Sequence, residues 1–215
     1  MKKVCFTILS VMLLAFVPLF VGCGSSNAVE NVMSERTSIY FAGNIEGTRA
    51  SISVGERENP YIKDGKHQST CGYSLICVDM AEYSTMKLAA VVNINGRDNR
   101  VDLELVSGTY MCDLEYKLKE DDKITLTFNE QTIEFTNVSK DFGINGDKAI
   151  EIAKECMAEK FKLYKDRQFE CYLRILGEAD GETGELFWCF TLIGSDGKSY
   201  SAIISVTDGN VIAND

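Results

Sequence analysis

The sequence predicts an all-β sandwich over residues 37–140, followed by a small α+β domain over residues 141–215. Two observations carry that expectation. Between Ser38 and Ser139, about eight short runs alternate apolar and polar residues roughly every ten positions, with turn residues between them and no helical spacing. At Gly143 the period changes: Ala149, Ile150, Ala153, Met157, Phe161 and Tyr164 recur at helical spacing, and three apolar runs follow.

Taken in order, the first strands are expected at Ser38–Ala42, Thr48–Val54, Tyr73–Val78 and Lys87–Asn95. The next are expected at Arg100–Val106, Thr109–Leu118, Lys123–Phe128 and Thr132–Val138. Val101-Asp102-Leu103-Glu104-Leu105 puts Val, Leu and Leu on one face and two acids on the other, as a strand with one wet face requires. Ile124, Leu126 and Phe128 repeat the pattern. Asn95-Gly96, Ser107-Gly108 and Asn129-Glu130 fall between such runs, where tight turns are needed. This spacing points to the immunoglobulin-like class of sandwich. Gly55 to Thr70 is the least regular stretch, with Asn59-Pro60 and Asp64-Gly65 as turn signals.

In the second half, Asn145 can cap a helix that carries Asp147 in its first turn and runs to about Lys165. Strands are expected at Phe169–Leu176, Leu186–Ile193 and Ser199–Val206, with Asp208 to Ile212 closing the chain. The helix opening Asp147-Lys148-Ala149-Ile150-Glu151-Ile152-Ala153, the Trp188–Ile193 strand, Asp196-Gly197-Lys198 and the run from Ile204 to Ile212 together resemble the PepSY family. Members usually read Val-Asp-x-x-Thr-Gly-Glu-Val near the end; here Ser205 stands for the Asp and Asp208 for the Thr. The resemblance implies one helix on a three-stranded antiparallel sheet, exported, and in some members a peptidase-regulating or interaction role. It brings no catalytic residue with it.

The N-terminus supplies an address. Lys2 and Lys3 precede an almost wholly apolar run of 18 residues, Val4 to Val21, closed by Gly22-Cys23-Gly24. A positive end, an apolar run and a small residue before a cleavage point form the layout of a secretory signal. Phe20-Val21-Gly22-Cys23 resembles the lipobox of bacterial lipoproteins, with Phe20 where members usually carry Leu. That resemblance implies removal of residues 1–22 and lipidation of Cys23, which puts the protein on the outer side of a cell membrane. The alternative is an uncleaved membrane helix, near the lower length limit for spanning, with Pro18 close to its end. Residues 23–36 read as a flexible spacer.

Of 22 basic and 32 acidic side chains, Lys2 and Lys3 leave with residues 1–22, so 193 residues remain with 20 against 32, a net charge of −12. Such a charge repels nucleic acid and anionic head groups, which excludes them as partners of the folded part. Six cysteines remain besides Cys5 and Cys23: Cys71, Cys77, Cys112, Cys156, Cys171 and Cys189. Export permits disulfides, apolar surroundings permit buried thiols, and both stay open. Their spacing matches no zinc pattern.

Catalytic chemistry has little to stand on. His67 is the sole histidine and lies in a polar run, where a solvated loop residue outweighs a Cys71–His67 nucleophilic pair. Asp141-x-Gly143-x-Asn145-Gly146-Asp147 resembles a calcium loop until position twelve, where Ile152 replaces the bidentate Glu, so a helix cap accounts for it better. Glu178, Asp180, Glu182 and Glu185 crowd one turn, which could take a cation or basic peptide but more often only keeps strands apart. Trp188, Phe190 and Leu192 read as the face under the helix rather than a ligand platform. Arg57, Asn59 and Tyr61 sit on the irregular stretch, where a rigid β fold tends to place recognition.

The expectation is therefore a lipid-anchored, non-enzymatic binding or regulatory module, peptidase-modulating in the PepSY manner, with an envelope protein or peptide as partner and no cofactor or metal. Its weak candidate surface is Arg57, Asn59, Tyr61, Glu178, Asp180 and Glu182. An exported thiol-dependent enzyme and a structural envelope component are the alternatives.

Overall fold

The computed structural model describes residues 33–59, 69–81, 85–114, 116–164, 169–177 and 184–215. His67, Tyr61, Glu178, Asp180, Glu182 and Cys23 lie outside them. Residues 32–215 form one compact unit.

Eight antiparallel strands come first: β1 (Met33–Ile45), β2 (Thr48–Glu58), β3 (Thr70–Met80), β4 (Lys87–Ile94), β5 (Arg97–Val106), β6 (Thr109–Leu114), β7 (Ile124–Phe128) and β8 (Gln131–Asn137). The local rules that predict them are visible in the backbone. Asn95-Gly96, Ser107-Gly108 and Asn129-Glu130 all hold positive φ at both positions, the conformation that lets a two-residue turn follow the twist of its strands. Inward residues such as Ile52, Val92, Leu103, Leu126 and Ile133 are almost wholly buried.

The arrangement corrects the sandwich expectation. The strands follow the order β1-β2-β3-β6-β5-β4-β7-β8, and β8 returns to β1 through Phe41 opposite Asn137 and Ala42 opposite Thr136. The result is a closed eight-stranded antiparallel barrel, neither two stacked sheets nor an immunoglobulin-like topology. Alternation looks the same in both, because each buries one face per strand. Closure relies on Gly43: a Cβ there would stand 2.5 Å from the Glu134 carbonyl oxygen and 2.6 Å from Ile133 Cγ2. Only a residue without a side chain lets β8 come this near. Side chains of all eight strands fill the interior, and Leu118, from the β6–β7 connection, joins them. Ser74 holds that connection, donating from Oγ to the Tyr116 carbonyl (2.9 Å) and accepting from the Leu118 amide (3.0 Å).

A 3-10 turn (Val138–Asp141) leads to helices α1 (Gly146–Cys156) and α2 (Ala158–Leu163). Asn145 caps α1, its side chain accepting from the Lys148 amide at 2.9 Å, as its place in the sequence predicts. The helical run is interrupted at Met157 and resumes as far as Leu163, close to the expected end at about Lys165, which lies outside the described residues. Four strands follow: β9 (Phe169–Gly177), β10 (Leu186–Gly194), β11 (Ser199–Ser205) and β12 (Val211–Asn214).

These strands build no separate sheet, which is the second correction. β9 lies parallel to the first residues of β1, with Met33 opposite Cys171 and Arg36 opposite Leu173, so twelve strands share one continuous sheet. β1 thus serves both parts, pairing β9 near its start and β8 further on. A bulge between Thr37 and Ile39 marks the handover. β1 begins at Met33, within the stretch read as a spacer.

Ala149, Ile150 and Ala153 bury one side of α1 over β10 and β11. Trp188 is the centre of this layer. It is 1% exposed, its Nε1 donates to the Ile144 carbonyl at 3.2 Å, and Phe142 meets it edge-on at 5.8 Å. Phe161 packs against Phe169 and Phe190 beside it.

Candidate functional site

A connected set of polar side chains lies where β1 passes from the barrel to the appended strands. Glu35 accepts from Arg174 through Nε (2.9 Å) and Nη2 (2.6 Å), and from the Tyr73 hydroxyl (3.2 Å). The Tyr73 hydroxyl also meets Thr37 Oγ1 at 3.0 Å. Thr37 and Tyr73 both pair with Gly55, one on each side, so the glycine separates the two side chains that bond across it. Gly55 itself is crowded by the bulge: a Cβ would stand 2.1 Å from the Arg36 carbonyl oxygen.

Arg57 belongs to this seam. It faces Glu35 across the β1–β2 pair, forms an ion pair with Asp113 and lies 5.2 Å from the Tyr73 ring centroid. Arg174 stands at the same distance from the Tyr172 ring. The hydrogen bonds that Arg174 donates to Glu35 raise the Arg174 pKa against the opposing effect of burial. Burial and then the Glu35 charge raise that of the Tyr73 phenol, which stays protonated and donates. A carboxylate that accepts three hydrogen bonds, beside guanidiniums that cannot lose a proton, makes a clamp rather than an acid–base pair.

Removing either end of the clamp should therefore show in stability. Glu35→Ala and Arg174→Ala should each cost about 1–2 kcal/mol, with a coupling energy near 1 kcal/mol in a double-mutant cycle followed by urea unfolding. Additive single losses would mean that the pair contributes nothing to holding β9 on β1.

The remaining candidates separate. Asn59 closes the β2–β3 connection, its amide donating to the Ser69 carbonyl at 3.0 Å and its own carbonyl accepting from Ser69 Oγ at 3.1 Å. Glu185 lines a groove of about 440 Å³ together with Leu186, Phe187, Asp208 and Ile212. Asp147 pairs with Arg36, and among the described residues no three metal-ligating side chains come together. The six cysteines from Cys71 to Cys189 are free thiols. Sequence reasoning missed Glu35 and Arg174 because 139 positions separate them and Glu35 stood in a presumed spacer.

A second acid acts at the far end of the appended strands. Tyr164 lies against Gly194, where a Cβ would be 2.3 Å from its ring, and its hydroxyl donates to Asp196 Oδ1 at 2.8 Å. That bond depresses the Asp196 pKa below its ordinary 3.8. A lowered folded value stabilises the protein above 3.8, and the contribution disappears as pH falls through the folded value. Asp196→Asn should accordingly lower the melting temperature at neutral pH and have a smaller effect at pH near 3 in the same buffer series. An equal loss at both would assign the effect to shape rather than charge.

Fold and seam together define a closed β-barrel extended, through its first strand, by a helix-covered sheet. Neither a family model, nor a curated protein, nor a solved structure matches this chain.

Proposed function

We propose that the protein is an exported lipoprotein, anchored through Cys23, whose folded part works as a non-enzymatic binding or regulatory module at the outer face of the membrane. The observation that carries this reading is the N-terminal order Lys2-Lys3, apolar run, Gly22-Cys23. β1 starts at Met33, ten positions after Cys23, so even a fully extended connection spans at most about 36 Å. A partner would be met close to the bilayer. The PepSY resemblance of the last part of the chain suggests a peptide or an envelope peptidase as that partner.

The state of four of the six thiols supports binding over catalysis at those positions. Burial pushes Cys77 up to about 11 and also raises Cys112, Cys156 and Cys171, whereas a nucleophilic cysteine needs its pKa lowered. The net charge argues for a protein or peptide partner rather than nucleic acid.

Intact mass of the protein from its native membrane tests the address. The expected result is loss of residues 1–22 and a mass increment of diacylglyceryl and acyl groups, absent in Cys23→Ser. An unmodified full-length chain in the soluble fraction overturns it.

A further inference from the structure

β1 consists of two half-strands. A bulge between Thr37 and Ile39 interrupts its pairing with β2, and the extra residue there, Ser38, is exposed. After it, Ile39 starts the buried row of the barrel, and Phe41 and Ala42 close on β8. Before it, residues 33–37 lie between β2 and β9. This first half is attached more lightly than either part it joins. β9 pairs with β10 along all nine of its residues, but with β1 through Met33, Glu35 and Arg36 only, in parallel and with a second bulge at Ser34. Parallel pairing is the weaker kind per residue, and a bulge leaves one residue out of the ladder. Among the described residues, no other barrel strand pairs with the appended four. Two ion pairs to the appended part start from the same half-strand, Glu35 with Arg174 and Arg36 with Asp147, and solvent reaches both. The buried Met33 and Ser34 and the hydrogen bond between Thr37 and Tyr73 add to what holds it in place.

We propose that residues 33–37 form a latch, which opens as a unit while the barrel and the appended sheet each stay folded. Opening pivots at Ser38, frees residues 55–57 of β2 and 171–173 of β9 from their β1 partners, and leaves the appended part joined to the barrel through residues 138–145. The clamp between Glu35 and Arg174 keeps the latch closed. The latch rests on the reading of Cys23 as an anchor only for what loads it. Cys23 lies ten positions before Met33, so a pull on the anchor reaches the latch before any other part of the fold.

Amide hydrogen exchange of the full chain in detergent micelles, repeated at low urea concentrations, tests this. The amides of Glu35, Arg36 and Thr37 should exchange together, about tenfold or more faster than the slowest amides of β5 and β7. Their exchange should also depend less on urea, because a local opening exposes little surface. Two variants separate the latch from the barrel. Ile133→Val, in the barrel interior, should speed the slowest amides of β5 and β7 about two- to tenfold and leave residues 35–37 at their original rates. Glu35→Gln, which keeps the shape of the side chain and removes its charge, should speed residues 35–37 about tenfold. Protection of residues 35–37 equal to that of β5, or acceleration in step with β5 in Ile133→Val, overturns the latch. An unchanged rate in Glu35→Gln overturns the part given to the clamp. Failure of the mass experiment would remove the anchor that loads the latch and leave the latch standing. Failure of the exchange experiment would remove the latch and leave the anchor.

Discussion

Trp188→Ala should lower stability by about 3–5 kcal/mol, the usual loss when a wholly buried tryptophan is cut back to a methyl group. The side chain is 1% exposed and does three things at once. It fills the layer between β10 and α1, it donates to the Ile144 carbonyl, and it supports Gly146 at the start of the helix, whose Cβ position lies 3.5 Å from the indole. Truncation leaves a cavity and removes the donor from the Ile144 carbonyl. α1 should then loosen before the barrel does. Hydrogen exchange should show faster amides across residues 146–156, while β5 and β7 keep their protection. Trp188 is the sole tryptophan, so unfolding of the variant must be followed by circular dichroism. Uniform loss of protection over barrel and helix would show that the two parts unfold as one cooperative unit.

Gly43→Val should cost about 3 kcal/mol or more, at or beyond the upper end of ordinary overpacking. The obstruction is backbone as well as side chain: Glu134 contributes its carbonyl oxygen and Ile133 its Cγ2, and a carbonyl held in a strand cannot rotate away. The seam between β1 and β8 must part for a side chain to enter. β8 should then exchange its amides faster than β2 and β3, which lie on the other side of β1. Gly47→Ala offers a control. Gly47 has open space around its Cβ position but φ of +72°, so substitution strains the turn without touching closure. Its expected cost, about 1 kcal/mol, is distinguishable by size and by leaving β8 protected. Equal protection of β8 in both variants would mean that barrel closure does not depend on Gly43.

Much of the local structure is readable from the sequence. Val101 to Leu105 declares a strand by alternation, and Asn129-Glu130 declares a turn by its place between two alternating runs. Asn145 announces the start of α1. The candidate surface is much less readable. Arg57 stands out as a polar residue on an irregular stretch, but its partners Asp113 and Tyr73 come from other strands. Glu35 and Arg174 carry no local mark at all. The groove arises because the start of β10 and the β11–β12 turn meet in space.

The two corrections to the fold share one cause. A period of two records which face of a strand is buried and is silent about which strand lies beside it. Loop closure costs rise slowly with length, so the chain can pair β3 with β6, or β1 with β9, with little trace in any short window. What the sequence alone settles here is the set of strands, their turns and the capped helix, since propensity and alternation act within a few residues. Barrel closure, the swap that puts β6 and β5 between β3 and β4, and the sharing of β1 between two parts of one sheet belong to tertiary structure. They depend on close backbone approach at Gly43 and Gly55 and on a clamp between distant residues, which become defined only when the whole chain packs.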